Sequence, residues 1–279
     1  MSLVPVTEEE KKLSYYKYFE RPMAKVDPER IKIVDEGPMD SSKFLTIFEI
    51  NELLKPGRLA CEFGYAVFED GTGTLANNIK MPGVTPQMFD WWFAWHGLEP
   101  LRYKIWDPED HYASISQNPE KNKEASLSMK ERYWNTTHYT EENVGALPPG
   151  FVATKEVLVP KVPIRFIPPV DFGFDPELLK DFDGTIVCGG GINDGIVMCH
   201  MLRRGEDGDY ELRTRFWFGW NIVDKKPVLN LPVPTEGASK EAKGFPLPLI
   251  KMLLKHNLKE FSNLAKLLPD IYPEEKDNF

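Results

Sequence analysis

Along this chain the spacing of apolar positions changes several times, and each change predicts an element. Residues 1–57 carry dense charge at Glu8 to Lys12 and a polar, proline-containing segment from Asp27 to Ser42, which predicts an N-terminal region of short helices and turns. From Arg58 the pattern becomes strand-like: Leu59, Cys61, Phe63, Tyr65 and Val67 alternate with smaller or polar residues. A turn at Glu69-Asp70-Gly71-Thr72-Gly73 and a second run from Thr74 to Ile79 complete a predicted hairpin. Thr85 then caps a helix with Pro86 at its first position, and Gly97 after His96 suits the left-handed residue that ends it. Met88, Trp92, Trp95 and His96 fall on one side of that helix.

Leu101 to Gly145 mixes aromatic and polar residues without a clean period. Leu147 to Pro176 is rich in proline and predicts extended chain over the surface or along an edge. Asp175-Pro176 opens a short helical segment to Phe182, and Gly189-Gly190-Gly191 predict a loop or bulge. Ile196 to Leu202 alternates and sets Ile196, Met198, His200 and Leu202 on one face. Arg203 to Asp209 is a turn, and Tyr210 to Trp220 is the partner strand. The register across this turn is open, so Arg213, Arg215 and Trp217 either share a face with His200 or oppose it.

The last long helix, Pro248 to Leu268, carries the sharpest chemical signal. Its apolar stripe runs Leu249, Leu253, His256, Glu260, Leu264, Leu267, the spacing of a core-facing side. Four residues apart, His256 and Glu260 lie one above the other and can reach one metal ion. A buried carboxylate is costly unless paired or bound to a cation. The bland alternatives are a surface pair or a His-Glu hydrogen bond within a core.

Composition narrows the class. With 279 residues, 42% hydrophobic and 28% charged, the chain is a folded globular protein able to bury a sizeable core. The net charge of -9 and pI near 5.2 argue against nucleic acid as a partner. Met1 to Lys12 lacks the apolar stretch of a signal peptide and no run is long enough for a membrane helix, so a cytoplasmic protein away from membranes is expected. Cys61, Cys188 and Cys199 show no paired spacing, which speaks against a disulfide framework or a cysteine zinc site.

Other histidines and acids read less sharply. His111 follows Asp107, Glu109 and Asp110 and reads as a surface histidine on a solvated acidic turn. Glu131 precedes an aromatic run; it either points inward as a ligand or pairs with Arg132 or a lysine. His138 is equally a pocket or a loop histidine.

As a set, three segments resemble a known family. They are Met81-Pro82-Gly83-Val84-Thr85-Pro86 leading to Phe89-Asp90-Trp91-Trp92-Phe93-Ala94-Trp95-His96, the strand Met198-Cys199-His200-Met201, and His256-x-x-x-Glu260. Together they are similar to the 2,4-diacetylphloroglucinol hydrolases and the phloretin hydrolases, from Arg58 onward. The resemblance implies an α+β helix-grip fold: a curved antiparallel sheet around a long C-terminal helix, residues 58–279 forming the catalytic domain and 1–57 a small helical region. It implies a zinc-dependent hydrolase that cuts the carbon–carbon bond between an acyl group and a phloroglucinol ring, with a small aromatic ketone as substrate. Carried over residue by residue, His96, Glu131, His256 and Glu260 would hold Zn²⁺ and His200 would be the catalytic acid-base. Trp92 and Trp95 would hold the flat ring. The residue eight before His96 is Met88, where the family has a substrate-contacting tyrosine.

Two rivals remain on the sequence: a non-catalytic carrier of flat aromatic ligands, which leaves His256 and Glu260 unexplained, and an Fe(II) site using oxygen. The sequence does not choose among acyl groups, and it leaves a homo-oligomer open.

Overall fold

The computed structural model describes residues 3–145, 159–232 and 244–279. The predicted proline-rich stretch falls partly on residues 147–158, outside the described residues. Eight strands form one antiparallel sheet: β1 (Gly64–Val67), β2 (Gly73–Lys80), β3 (His111–Ser116), β4 (Thr137–Glu142), β5 (Lys161–Ile167), β6 (Gly184–Gly191), β7 (Ile196–Arg204) and β8 (Tyr210–Phe218). Their spatial order is β1-β2-β8-β7-β6-β5-β4-β3. A separate hairpin joins β9 (Trp220–Val223) to β10 (Lys226–Leu229).

The C-terminal helix runs Leu247–Glu275, past the predicted end at Leu268, about 43 Å at the usual rise. Its apolar stripe packs in two directions. Leu249, Ile250 and Leu254 meet Tyr65, Leu75, Phe216 and Phe218 of the sheet, whereas Leu258, Phe261, Leu264 and Leu268 meet the Pro86–Trp95 helix. Inside the sheet–helix interface, Asn77 of β2 donates to Asn257 Oδ1 at 2.8 Å. This is the α+β helix-grip arrangement expected from the sequence.

The opposite face of the sheet is covered as well. Ile47, Ile50 and Leu53 from the 3-10 segment Ile47–Leu54 pack there with Phe172, Phe174, Cys188, Cys199 and Trp217. The open register is thereby decided. His200 lies opposite Thr214, so Arg213, Arg215 and Trp217 point to the other face. There Arg213 and Arg215 are buried against Glu62 and Glu211. Residues 3–57 form short helices and turns, and their side chains join the clusters of the remaining chain, Tyr15, Tyr18 and Phe19 beside Trp91 and Trp95.

Two elements differ from expectation. β1 begins only at Gly64, leaving Leu59 and Cys61 outside the sheet. Gly189, Gly190 and Gly191 are the end of β6 and not a loop. Gly190 pairs with Val197, and a Cβ there would lie 2.7 Å from Ile196 O, so the close strand approach itself requires glycine.

Candidate metal centre and cavity

The cavity lies between the sheet and the C-terminal helix, about 920 Å³ counted to its open mouth. His256 and Glu260 face it from the helix, as the stripe predicts, and both are buried. The two groups that meet them come from the far edge of the sheet: His111 opens β3, and Glu142 closes β4 directly opposite it. His111 Nε2 lies 3.2 Å from His256 Nε2 and 3.6 Å from both Glu142 Oε2 and Glu260 Oε2. His256 Nε2 is 3.7 Å from Glu142 Oε2.

Supporting contacts orient each group. His111 Nδ1 lies 3.2 Å from Tyr103 O, and a carbonyl only accepts, so Nδ1 carries the proton and Nε2 presents its lone pair to the cluster. The same imidazole stacks on the Tyr103 ring at 3.9 Å, and the Tyr103 hydroxyl donates to Glu142. Asn257 donates to Glu260 Oε1 at 3.1 Å, which links the carboxylate through Asn257 to Asn77. His256 Nδ1 has no hydrogen-bond partner among the described residues and sits 4.0 Å from Asp110 Oδ2.

Two carboxylates and two imidazoles thus converge in a buried space, and among the described residues no lysine or arginine pairs with Glu142 or Glu260. Burial raises the pKa of Glu260 well above the carboxylate range, although His256 opposes it. Burial would lower His256, yet Glu142 and Glu260 outweigh it and hold it up at about 9. Burial and then His256 push His111 down to about 3. The cluster therefore attracts one positive charge. A divalent cation fits this donor set of lone-pair nitrogens and carboxylate oxygens.

Asp107 also offers an oxygen within 4.8 Å of His111 and His256. Its Oδ1 accepts the Glu109 N–H at 3.1 Å, while Oδ2 makes no hydrogen bond among the described residues but already lies 3.0 Å from the Lys259 Nζ charge, a counter-ion that Glu142 and Glu260 lack. That favours Glu142 and Glu260 as the oxygen donors.

The structure places the other sequence-predicted residues elsewhere. Glu131 is exposed on a short helix, Met129–Tyr133, where it closes a capping box with Ser128 at 2.9 and 2.6 Å. His96 is buried on the cavity wall, but its Nδ1 donates to Trp92 O of its own helix at 2.9 Å, and its ring neighbours are aromatics and His138. Trp92 and Trp95 are fully buried away from the cavity; Trp95 Nε1 donates to Asn278 O. Phe93, Trp106 and Phe216 line the cavity in their stead. His200 does line it, with Nδ1 3.0 Å from Thr214 Oγ1, and burial lowers its pKa to about 3.

His111, read as a surface histidine, is fully buried. The residue eight before it is Tyr103, whereas the residue eight before His96 is Met88. Glu142 was overlooked, although His138, Thr140 and Glu142 alternate in the period of a strand face.

Comparisons with known proteins identify the family. The family described as DAPG hydrolase PhiG domain matches residues 45–273. "Phloretin hydrolase" of Eubacterium ramulus is 37% identical over 280 residues, covering 99% of this chain and 95% of its own. "2,4-diacetylphloroglucinol hydrolase" of Pseudomonas protegens (strain DSM 19095 / LMG 27888 / CFBP 6595 / CHA0) is 29% identical, covering 93% of this chain and 84% of its own. The crystal structure of Ara h 8.0201 aligns over 71% of this chain and 98% of its own at 10% identity with a TM-score of 0.38. No helix among the described residues is long and apolar enough to cross a membrane. The match over residues 45–273 and the near-complete span of the relatives mean that this chain belongs to the DAPG hydrolase family.

Proposed function

We propose that this protein is a zinc-dependent hydrolase that cleaves the carbon–carbon bond between an acyl group and a phloroglucinol ring, with His111, Glu142, His256 and Glu260 as metal ligands. The relatives' names supply the reaction class, a hydrolase acting on phloroglucinol ketones. The observation that carries the ligand set is the His111 lone pair facing two carboxylates and a second imidazole, a grouping that is unfavourable without a cation between them. The Nδ1–H of His111 on a backbone carbonyl is the usual outer support of a metal-bound imidazole.

The chemistry that a bound zinc supplies is Lewis acidity toward the ketone oxygen and toward water. The chain's own residues do the rest. Phe93, Trp106 and Phe216 enclose the flat ring, and Tyr103 fixes the Glu142 carboxylate while its ring holds His111 in plane. As water adds to the carbonyl carbon, the electrons of the breaking bond pass to the ring, whose hydroxyl groups delocalise them by keto tautomerism. The ring carbon then takes a proton. His200, neutral through burial and tied by Nδ1 to Thr214, keeps Nε2 for the cavity and relays that proton. The products are phloroglucinol and a carboxylic acid.

The test is direct. Purified protein incubated with an acylphloroglucinol should release phloroglucinol, lose that activity when dialysed against a chelator, and regain it with zinc. A carrier would bind the ketone unchanged and contain no metal. Activity that needed oxygen would favour an iron centre instead.

A further inference from the structure

His96 lines the cavity, yet the proposed hydrolysis gives it no task. Its imidazole is set by its own helix turn: Nδ1 donates to Trp92 O at 2.9 Å, so the outer nitrogen, Nε2, keeps its lone pair. Burial favours that neutral form and lowers the pKa to about 4. The ring is also wedged in place, with Trp92 stacked at 6.0 Å and His138 meeting it edge-on at 5.3 Å. His138 comes so close to this turn because residue 97 is glycine; a Cβ there would lie 2.3 Å from His138 Cε1. Neither nitrogen of the buried His138 has a hydrogen-bond partner among the described residues, so His138 packs against His96 without engaging its lone pair.

Its place in the cavity is fixed by two shared neighbours. The Tyr103 ring lies 3.9 Å from that of His111 and 5.7 Å from that of His96. The Phe93 ring lies 5.5 Å from that of His96 and 6.3 Å from that of His200. His96 thus stands one aromatic side chain from the proposed metal centre and one from His200. A flat ring that presents its ketone oxygen to the first and its acyl-bearing carbon to the second has its hydroxyl groups left for this third corner. Ser114 and Thr140, the hydroxyl side chains on the same cavity wall, are bonded to each other at 3.1 Å, whereas Nε2 of His96 has no hydrogen-bond partner among the described residues.

We propose that His96 Nε2 accepts a hydrogen bond from one hydroxyl of the substrate's aromatic ring, which selects rings hydroxylated at that position and turns the acyl-bearing carbon toward His200. A ring that is bare or etherified there leaves a buried lone pair unpaired and loses the hold on its orientation. The inference rests on the proposed hydrolysis of acylphloroglucinols and adds to it a residue that reads the ring.

The experiment compares phloroglucinol with resorcinol, which lacks one of its hydroxyls, as ligands of the zinc-loaded protein by calorimetry, beside kcat and KM for acetylphloroglucinol. A neutral hydrogen bond corresponds to about 3- to 10-fold in affinity, so the wild type should bind phloroglucinol tighter than resorcinol by that factor. In His96→Phe, with zinc content unchanged, the preference should fall to near one and KM for acetylphloroglucinol should rise by the same factor. His96→Gln, whose amide reaches the place of Nε2, should restore the preference, which a packing role alone would not do. Circular dichroism checks folding; if His96→Phe fails to fold, His96→Asn, whose shorter amide reaches only the place of Nδ1, should lose the preference that His96→Gln keeps. Equal or undetectable binding of the two ligands by wild type, or an unchanged preference in folded His96→Phe or His96→Asn, overturns the contact. Turnover of acetylphloroglucinol beside that result leaves the hydrolase reading standing, whereas the expected preference without turnover retains the contact and overturns the hydrolysis.

Discussion

Exchange of Glu142 for Gln removes one negative charge from the cluster while keeping the shape of the side chain and an oxygen that still accepts the Tyr103 hydroxyl. The wild-type carboxylate lies 3.6 Å from His111 Nε2 and 3.7 Å from His256 Nε2, so it borders the space that a shared cation would occupy. At an effective dielectric near 20, two unit charges about 4 Å apart interact by roughly 4 kcal/mol. Part of this is offset because an amide is easier to bury than a carboxylate. A net loss of about 2 to 4 kcal/mol corresponds to roughly 30- to 1,000-fold weaker metal binding. Competition for zinc against a chromogenic chelator, with circular dichroism to confirm folding, measures this directly. Glu131→Gln is the matched control. Glutamine still completes the capping box with Ser128, and the side chain is exposed, so zinc affinity should stay within about threefold of wild type. Wild-type affinity in Glu142→Gln, or loss of metal from Glu131→Gln, would refute the ligand set.

Two further outcomes follow from the same geometry. His200→Ala should lower kcat by about a hundredfold or more with zinc content unchanged, since its imidazole contacts Thr214 and aromatic rings and not the metal cluster; loss of zinc would make it a ligand. Burial lowers the folded-state pKa of His200 to about 3 and of His96 to about 4, below the ordinary imidazole value of about 6.5, so the unfolded chain binds more protons between these values. Stability from these groups is fully present above about pH 6.5 and is lost as pH falls toward 4, by up to about 1.4 kcal/mol per pH unit for each histidine. Urea denaturation from pH 7.5 to 4.5 should show this slope, reduced by about one proton in His200→Gln; an equal slope in the variant would contradict the burial assignment.

What the sequence made legible divides along a physical line. The helix pair His256 and Glu260 was readable because four residues of helix set both side chains on one face with no reference to the rest of the molecule. The capped Pro86 helix and the β7–β8 hairpin were readable for the same reason, each being fixed by local periodicity and turn chemistry. His111 and Glu142 meet only through the register of β3 on β4, including a shift between His111 and Ala113 that no local pattern announces. Order along the chain pointed instead to His96 and Glu131, which the structure leaves outside this cluster. Counting back eight residues from His111 in place of His96 arrives at Tyr103 in place of Met88.

The burial of His111 shows the same limit in electrostatic terms. Asp107, Glu109 and Asp110 just before it look like a solvated turn, because three carboxylates in four residues ordinarily stay in water. Here Lys259 of the C-terminal helix reaches all three, at 3.0 Å from Asp107 and 3.2 Å from Glu109, with Asp110 also in contact. This cation, beside Glu260 in sequence and about 150 positions from the acids, makes it tolerable to bury the acidic turn and bring His111 to the proposed metal centre. The helix therefore contributes twice to the site, with His256 and Glu260 as proposed ligands and Lys259 as the counter-charge that lets the opposite edge of the sheet come inward. Only the first contribution has a signature within the helix itself.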